Sequence, residues 1–310
     1  MTARLRQALS FAVWLALHGT LAIAAVPELI VESPPELEGI AARLRTADAG
    51  VLAGPVELLA IDDPGPPIRV VLAAESSFLA RSAPGWVSGY ADGERGQIVL
   101  FPSRGLAYPD GSLEELIAHE VTHVLLARRV RGGDLPRWLN EGLAMAASGG
   151  WGLVDKSQLT LAMVRGGRVE LRQLESWFSG PAPQVRRAYA FSGAFVHYLL
   201  RQGGREGIDR LLDGLAAGDS FDDAFRVAFG AELASVEASF WRRFSFFYRW
   251  LPFLTSSAVL WILISLLALV AFRRRRAIDA EIELRWQLNG LGDEPAVELP
   301  TTESDDELVN

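Results

Sequence analysis

His119-Glu120-Val121-Thr122-His123 places two histidines four residues apart with a glutamate directly after the first. On a helix, positions four apart share a face, about 40° from one another around the axis, so both imidazoles can reach one metal ion. Glu120 projects about 100° from His119, beside such an ion rather than on it. From there a carboxylate can take a proton from a water that the metal activates. The chain has four histidines, His18, His119, His123 and His197, so two of them fall in this one motif. The competing reading is a helix with two surface histidines. Against it, Leu116 and Leu126 share the histidine face, while Leu113, Ile117, Val121 and Val124 line the other. A helix apolar on both sides is buried, and buried imidazoles need partners. One zinc ion per chain is the expected partner.

A catalytic zinc usually takes three protein ligands and keeps one position open. Glu141 is the candidate third ligand. In Trp138-Leu139-Asn140-Glu141-Gly142-Leu143-Ala144-Met145-Ala146-Ala147 only Asn140 and Glu141 are polar. A carboxylate on an apolar helix is costly to bury unless a cation meets it. The alternative cation is an arginine: Arg128, Arg129 or Arg137.

These residues need a frame. Ser112-Leu113-Glu114-Glu115 is a capping box, which opens a helix over the motif. Gly132-Gly133 stops that helix near Arg131. Pro136 suits the first turn of a second helix, which runs to about Ser148 before Gly149-Gly150. Upstream, residues 36–46 form a short amphipathic helix. Ile68 to Ala73 follows the breaker Pro64-Gly65-Pro66-Pro67 and reads as a strand. Gly85 to Tyr90 and Gln97 to Phe101 read as a hairpin around residues 91–96. Downstream, residues 155–165, 184–202, 205–217, 221–229 and 232–248 read as helices. Strands first and helices after give the α+β class.

Composition narrows the rest. Half of the 310 residues are hydrophobic, enough for a sizeable core. The absence of cysteine excludes a disulfide framework, a thiolate zinc site and a cysteine nucleophile. The net charge of −8 argues against a nucleic-acid partner.

The ends read as addresses. Residues 1–25 carry Arg4 and Arg6, an apolar run from Leu9, and the small residues Ala22, Ala24 and Ala25, the three parts of a signal peptide. Leu251 to Phe272 is apolar and uncharged, long enough to span a bilayer, and Arg273 to Arg276 follow at once. Trp241, Phe244, Phe246, Phe247, Tyr248 and Trp250 precede it like an interfacial belt. The expected organisation is a signal at 1–25, an N-terminal α/β part at 26–110, a helical metal-binding part at 111–250, a transmembrane helix at 251–272 and a cytoplasmic acidic tail at 273–310. From Arg273 onward there are five Arg against ten Asp plus Glu.

Together, His119-Glu120-Val121-Thr122-His123 and Pro136-Arg137-Trp138-Leu139-Asn140-Glu141-Gly142-Leu143-Ala144 resemble the gluzincin metallopeptidases, closest to the peptidase MA-like families of bacterial membrane-associated proteins. The second motif, P-x-W-L-N-E-G-L-A, is much more specific than H-E-x-x-H. The likeness runs from about Ile68 to Arg243 and includes Tyr189-Ala190-Phe191-Ser192-Gly193-Ala194-Phe195-Val196. It implies a zincin-like domain with an N-terminal mixed sheet over the active-site helix and a C-terminal helical lobe. His119, His123 and Glu141 match the zinc ligands and Glu120 the catalytic base. An edge strand binds substrate in the family, and Gln97 to Phe101 is the matching segment. Tyr189 matches the oxyanion donor, with Tyr198 and His197 as alternatives. Asn140 is placed to orient an imidazole. Some gluzincins carry an acid four residues after the ligand glutamate to support a histidine. Met145 stands there in this chain, so that support is different or comes from elsewhere.

The implied activity is peptide-bond hydrolysis on peptide or protein substrates. Its implied place is a bacterial inner membrane, single-pass, with the catalytic part outside the cytoplasm. The alternative is a catalytically silent zincin-like binding or regulatory protein at the membrane surface. An intramembrane protease fits poorly, because Glu114, Glu115, Arg128 and Arg129 flank the motif. A structural zinc site would need a fourth protein ligand, and only His197 remains for it.

Overall fold

The computed structural model describes residues 25–46, 49–105, 109–149, 152–254 and 257–288. The expected signal peptide and the end of the acidic tail lie outside these residues. The chain forms two compact units, one up to Arg242 and one from Arg243.

The first unit begins with β1 (Leu29–Glu32), α1 (Glu38–Arg45), α2 (Ala49–Leu58), β2 (Ile68–Leu72), α3 (Phe78–Ser82), β3 (Gly89–Asp92) and β4 (Gln97–Leu100). These strands make one mixed sheet in the order β1-β2-β4-β3. β1, β2 and β4 run parallel, with Val70 opposite Ile98. β3 is antiparallel to β4, with Tyr90 opposite Val99. Ile68, Val70 and Leu72 alternate along β2 and are all buried, as expected for a central strand facing a core.

The sheet edge differs from the expectation. Gln97 to Phe101 is not an edge strand: β4 is paired with β2 on one side and β3 on the other. The residues explain why. Ile98, Val99, Leu100 and Phe101 are all buried, so this run is covered on both faces, which suits an interior strand. The edge strands are β1 and, on the β4 side, β3, which is short and partly exposed and made of Gly-Tyr-Ala-Asp. Gly96, at φ 61°, closes the turn between β3 and β4 in a conformation that favours glycine.

Helices follow: α4 (Leu113–Val130), α5 (Arg137–Ser148), α6 (Leu153–Gly166), α7 (Leu171–Trp177), α8 (Ala182–Ala217), α9 (Phe221–Phe229) and α10 (Leu233–Leu254). α4 is central. β3, β4 and α2 pack on it, as do α5 and α8. Ser112 caps it, its Oγ accepting from Glu115 N at 3.0 Å. The Glu115 carboxylate closes the box one residue early, accepting from Gly111 N at 2.7 Å. Arg131 ends the helix in the left-handed region, and Gly132 follows it there. α8 is two helices joined at Gly204, whose φ of 64° and ψ of −167° are not helical. That break separates the two segments read as 184–202 and 205–217. β1, α2, α3 and α7 have no counterpart in the sequence reading.

The second unit holds the end of α10 and α11 (Ser257–Leu288). Among the described residues, no helix is long and apolar enough to cross a membrane. The expected span Leu251–Phe272 falls partly outside them: residues 255–256 are not described, nor are the side chains of 251–259. In α11 the apolar side chains from Leu260 to Phe272 are each about half exposed, between 45% and 68%.

Candidate metal centre

α4 turns both histidines inward on one face. Their rings stand edge to face, with centroids 4.9 Å apart. α5 crosses α4 and brings Glu141 to them. Glu141 Oε2 lies 3.5 Å from His119 Nε2 and 3.6 Å from His123 Nε2. These distances are too long for good hydrogen bonds. They match the donor separation of about 3.4 Å expected of a tetrahedron with metal–ligand bonds of about 2.0–2.1 Å. Glu141 Oε2 is buried and has no hydrogen-bond partner. A buried carboxylate oxygen left without a donor, facing two imidazole nitrogens, fits a cation. His119, His123 and Glu141 therefore form a group that can hold a metal ion.

The second oxygen of Glu141 is used differently. Oε1 lies 3.4 Å from Arg137 Nε, one turn earlier on α5. The arginine alternative thus holds one oxygen while the other faces the histidines. Arg128 and Arg129 are engaged elsewhere, with Pro64 O and with Asp209 and Asp213.

Each histidine has a group behind it. His123 Nδ1 is 2.7 Å from Asn140 Oδ1. His119 Nδ1 is 3.4 Å from Asp110 Oδ1, in the turn before α4. Asp110 was not singled out from the sequence. It sits in Pro109-Asp110-Gly111, which reads as a turn, and nothing in the spacing ties it to His119. Met145 is buried and offers no acceptor for the histidine.

The electrostatics follow from burial. Without a metal, desolvation works against charge on His119. The carboxylates of Asp110, Glu141 and Glu120 outweigh it and raise its pKa to about 9. His123 is lowered, chiefly by desolvation. Desolvation also opposes ionisation of Glu141, yet contact with His119, then His123 and Arg137, lowers it to about 2. Glu120 is raised to about 8 by desolvation. Its Oε2 is buried without a hydrogen-bond partner, beside the group rather than in it.

The centre opens onto a cleft of about 480 Å³. Trp86 to Ala91 form one wall, and Tyr189, Asp110, Arg137 and Glu175 also line it. β3 lies close to Glu120: a Cβ at Gly89 would stand 3.2 Å from Glu120 Oε1 and 2.7 Å from Leu100 Cδ2. Tyr189 on α8 is partly buried, its ring centroid 6.4 Å from that of His119 and 5.5 Å from that of Phe178. Desolvation and the nearby carboxylates raise its pKa well above 10, so the phenol keeps its proton. The two alternatives stand elsewhere. Tyr198 packs on Phe195 and Phe240, and neither it nor His197 lines the cleft.

Comparison with known proteins agrees with this site. No curated protein matches the chain. Residues 103–246 match the family model described as the Peptidase MA superfamily. The matched stretch spans α4, α5 and α8 and contains His119, Glu120, His123, Glu141 and Tyr189. The segment of the chain that carries the metal centre is thus similar to the Peptidase MA superfamily.

Proposed function

We propose that this chain is a zinc-dependent metalloendopeptidase of the gluzincin type with a zincin-like catalytic domain, anchored to a bacterial cell membrane with that domain outside the cytoplasm. The observation that carries the reading is the convergence of His119, His123 and Glu141 around one unpartnered carboxylate oxygen, with Glu120 beside it. Two imidazoles and one carboxylate suit zinc, and the open side of the group faces the cleft.

A divalent ion bound there would polarise the scissile carbonyl and acidify a water. Glu120 takes the proton from the attacking water and later returns it to the leaving amine. Tyr189 donates to the developing oxyanion from across the cleft. Asn140 holds the His123 imidazole in orientation. Substrate lies extended along β3. Ser88, Tyr90 and Asp92 direct their peptide groups toward β4, with Phe101 N donating to Ser88 O at 2.8 Å. Gly89 and Ala91 then direct theirs outward, where an added strand would pair.

Membrane attachment rests on two features. Leu260 to Phe272 present apolar side chains on every side of α11, and Arg273 to Arg276 follow them.

The test is Glu120→Gln in the full-length chain with an unstructured peptide library. Turnover is expected to fall by at least about 10²-fold, as for loss of a general base, with zinc content unchanged. Equal turnover in the variant, or no turnover by a zinc-loaded wild type, would remove the catalytic reading.

A further inference from the structure

We propose that Asp110 is the positioning residue that fixes His119 for metal binding, in place of an acid on α5. The inference rests on the metal-site reading above. His119 Nε2 faces Glu141, so the ring must bind a cation through that atom and carry its proton on Nδ1. A buried N–H needs an acceptor. His119 Nδ1 is buried and without a hydrogen-bond partner, and Asp110 Oδ1 stands 3.4 Å from it. A shift of a few tenths of an ångström makes that contact a charge-assisted hydrogen bond.

The carboxylate is built in rather than passing by. Its side chain is 9% exposed. The residues after it are tied to the helix that carries His119: Gly111 N donates to Glu115 Oε2 at 2.7 Å, and Ser112 Oγ accepts from Glu115 N at 3.0 Å. Glu115 is occupied by that contact. Asn140 serves His123 at 2.7 Å. Met145, one turn after Glu141, carries no acceptor. The two histidines thus receive different support, a neutral amide for His123 and a carboxylate for His119. A carboxylate behind a ligating imidazole raises its basicity and fixes its tautomer.

The experiment compares the full-length wild type with Asp110→Asn and Asp110→Ala. Zinc affinity is read by competition with a chromogenic chelator. The absorption spectrum of the cobalt-loaded protein reads ligand geometry. Thermal unfolding of the metal-free chains reads the fold. Asp110→Ala is expected to weaken zinc by roughly 10–100-fold and to alter the cobalt spectrum. Asp110→Asn, which keeps an oxygen in place, is expected to fall between, with metal-free stability held in both when measured above about pH 9, where His119 is neutral. Wild-type affinity and spectrum in both variants overturn the proposal. So does a loss of metal that tracks an equal loss of metal-free stability. A wild-type chain that binds no zinc would instead fail the metal-site reading itself.

Discussion

Tyr189 approaches His119 from α8, a helix that shares no sequence neighbourhood with the H-E-x-x-H motif. Burial and the nearby carboxylates raise its pKa in the metal-free fold, so the phenol stands there as a neutral donor. Tyr189→Phe is expected to lower kcat by roughly 10²–10³-fold while zinc affinity holds, the cost of one oxyanion donor. Steady-state kinetics with parallel metal analysis check this, and near-normal turnover would remove the role. The titrating groups make a second prediction. In the metal-free chain His119 is raised from 6.5 to about 9, and Glu120 from 4.5 to about 8. The fold therefore holds protons that the unfolded chain releases. That stability is complete below the unfolded values and is lost as pH rises through the folded ones. His123 is lowered and works the other way, but only below about its ordinary 6.5. Metal-free protein is thus expected to lose stability between about pH 6.5 and 9, on the order of a few kcal/mol. Zinc-loaded protein, whose His119 carries the metal, is expected to change little over that range. Thermal midpoints with and without chelator decide it.

At the scale of elements, α5 delivers Asn140 and Glu141 only because it can lie close against α8. Gly142 is the point of approach: a Cβ there would stand 2.5 Å from Val196 Cγ2 and 2.6 Å from Ser192 O. Gly142→Ala must push the helices apart, at a cost of about 1–3 kcal/mol, and should weaken zinc because Glu141 is the adjacent residue. Chemical denaturation and metal titration measure the two effects. A variant as stable as wild type would refute the close packing. This also explains what could be read in advance. Ser112, Gly132-Gly133 and Pro136 punctuate α4 and α5 through local backbone chemistry, so both helices were legible. α2 was not, because Pro55 lies inside it and its residues lack an amphipathic stripe. The sheet order was not legible either. Strand pairing is non-local, and the resemblance puts Gln97 to Phe101 at an edge although a run covered on both faces suits the interior. Asp110 escaped for a similar reason: its partner is nine residues on, and the turn between them has no fixed periodicity.

For the whole molecule, the centre lies within the unit that ends at Arg242, and the reading adds a membrane anchor after it. A reporter fused after Asn310 is expected on the cytoplasmic side, because the Arg273 to Arg276 block resists export. An exported reporter would reverse the topology, and full release of the chain by alkaline carbonate would remove the anchor.

β3 also sets a limit on what such a cleft selects. Peptide groups of Gly89 and Ala91 read only backbone, which is the same in every sequence. Pairing along β3 would therefore ask for an unpaired main chain: a segment already locked in a helix or sheet has none to offer. Under the proposed reading, exposed loops and frayed termini meet that requirement, and any choice among them falls to the side chains that line the cleft, Trp86, Arg137 and Glu175.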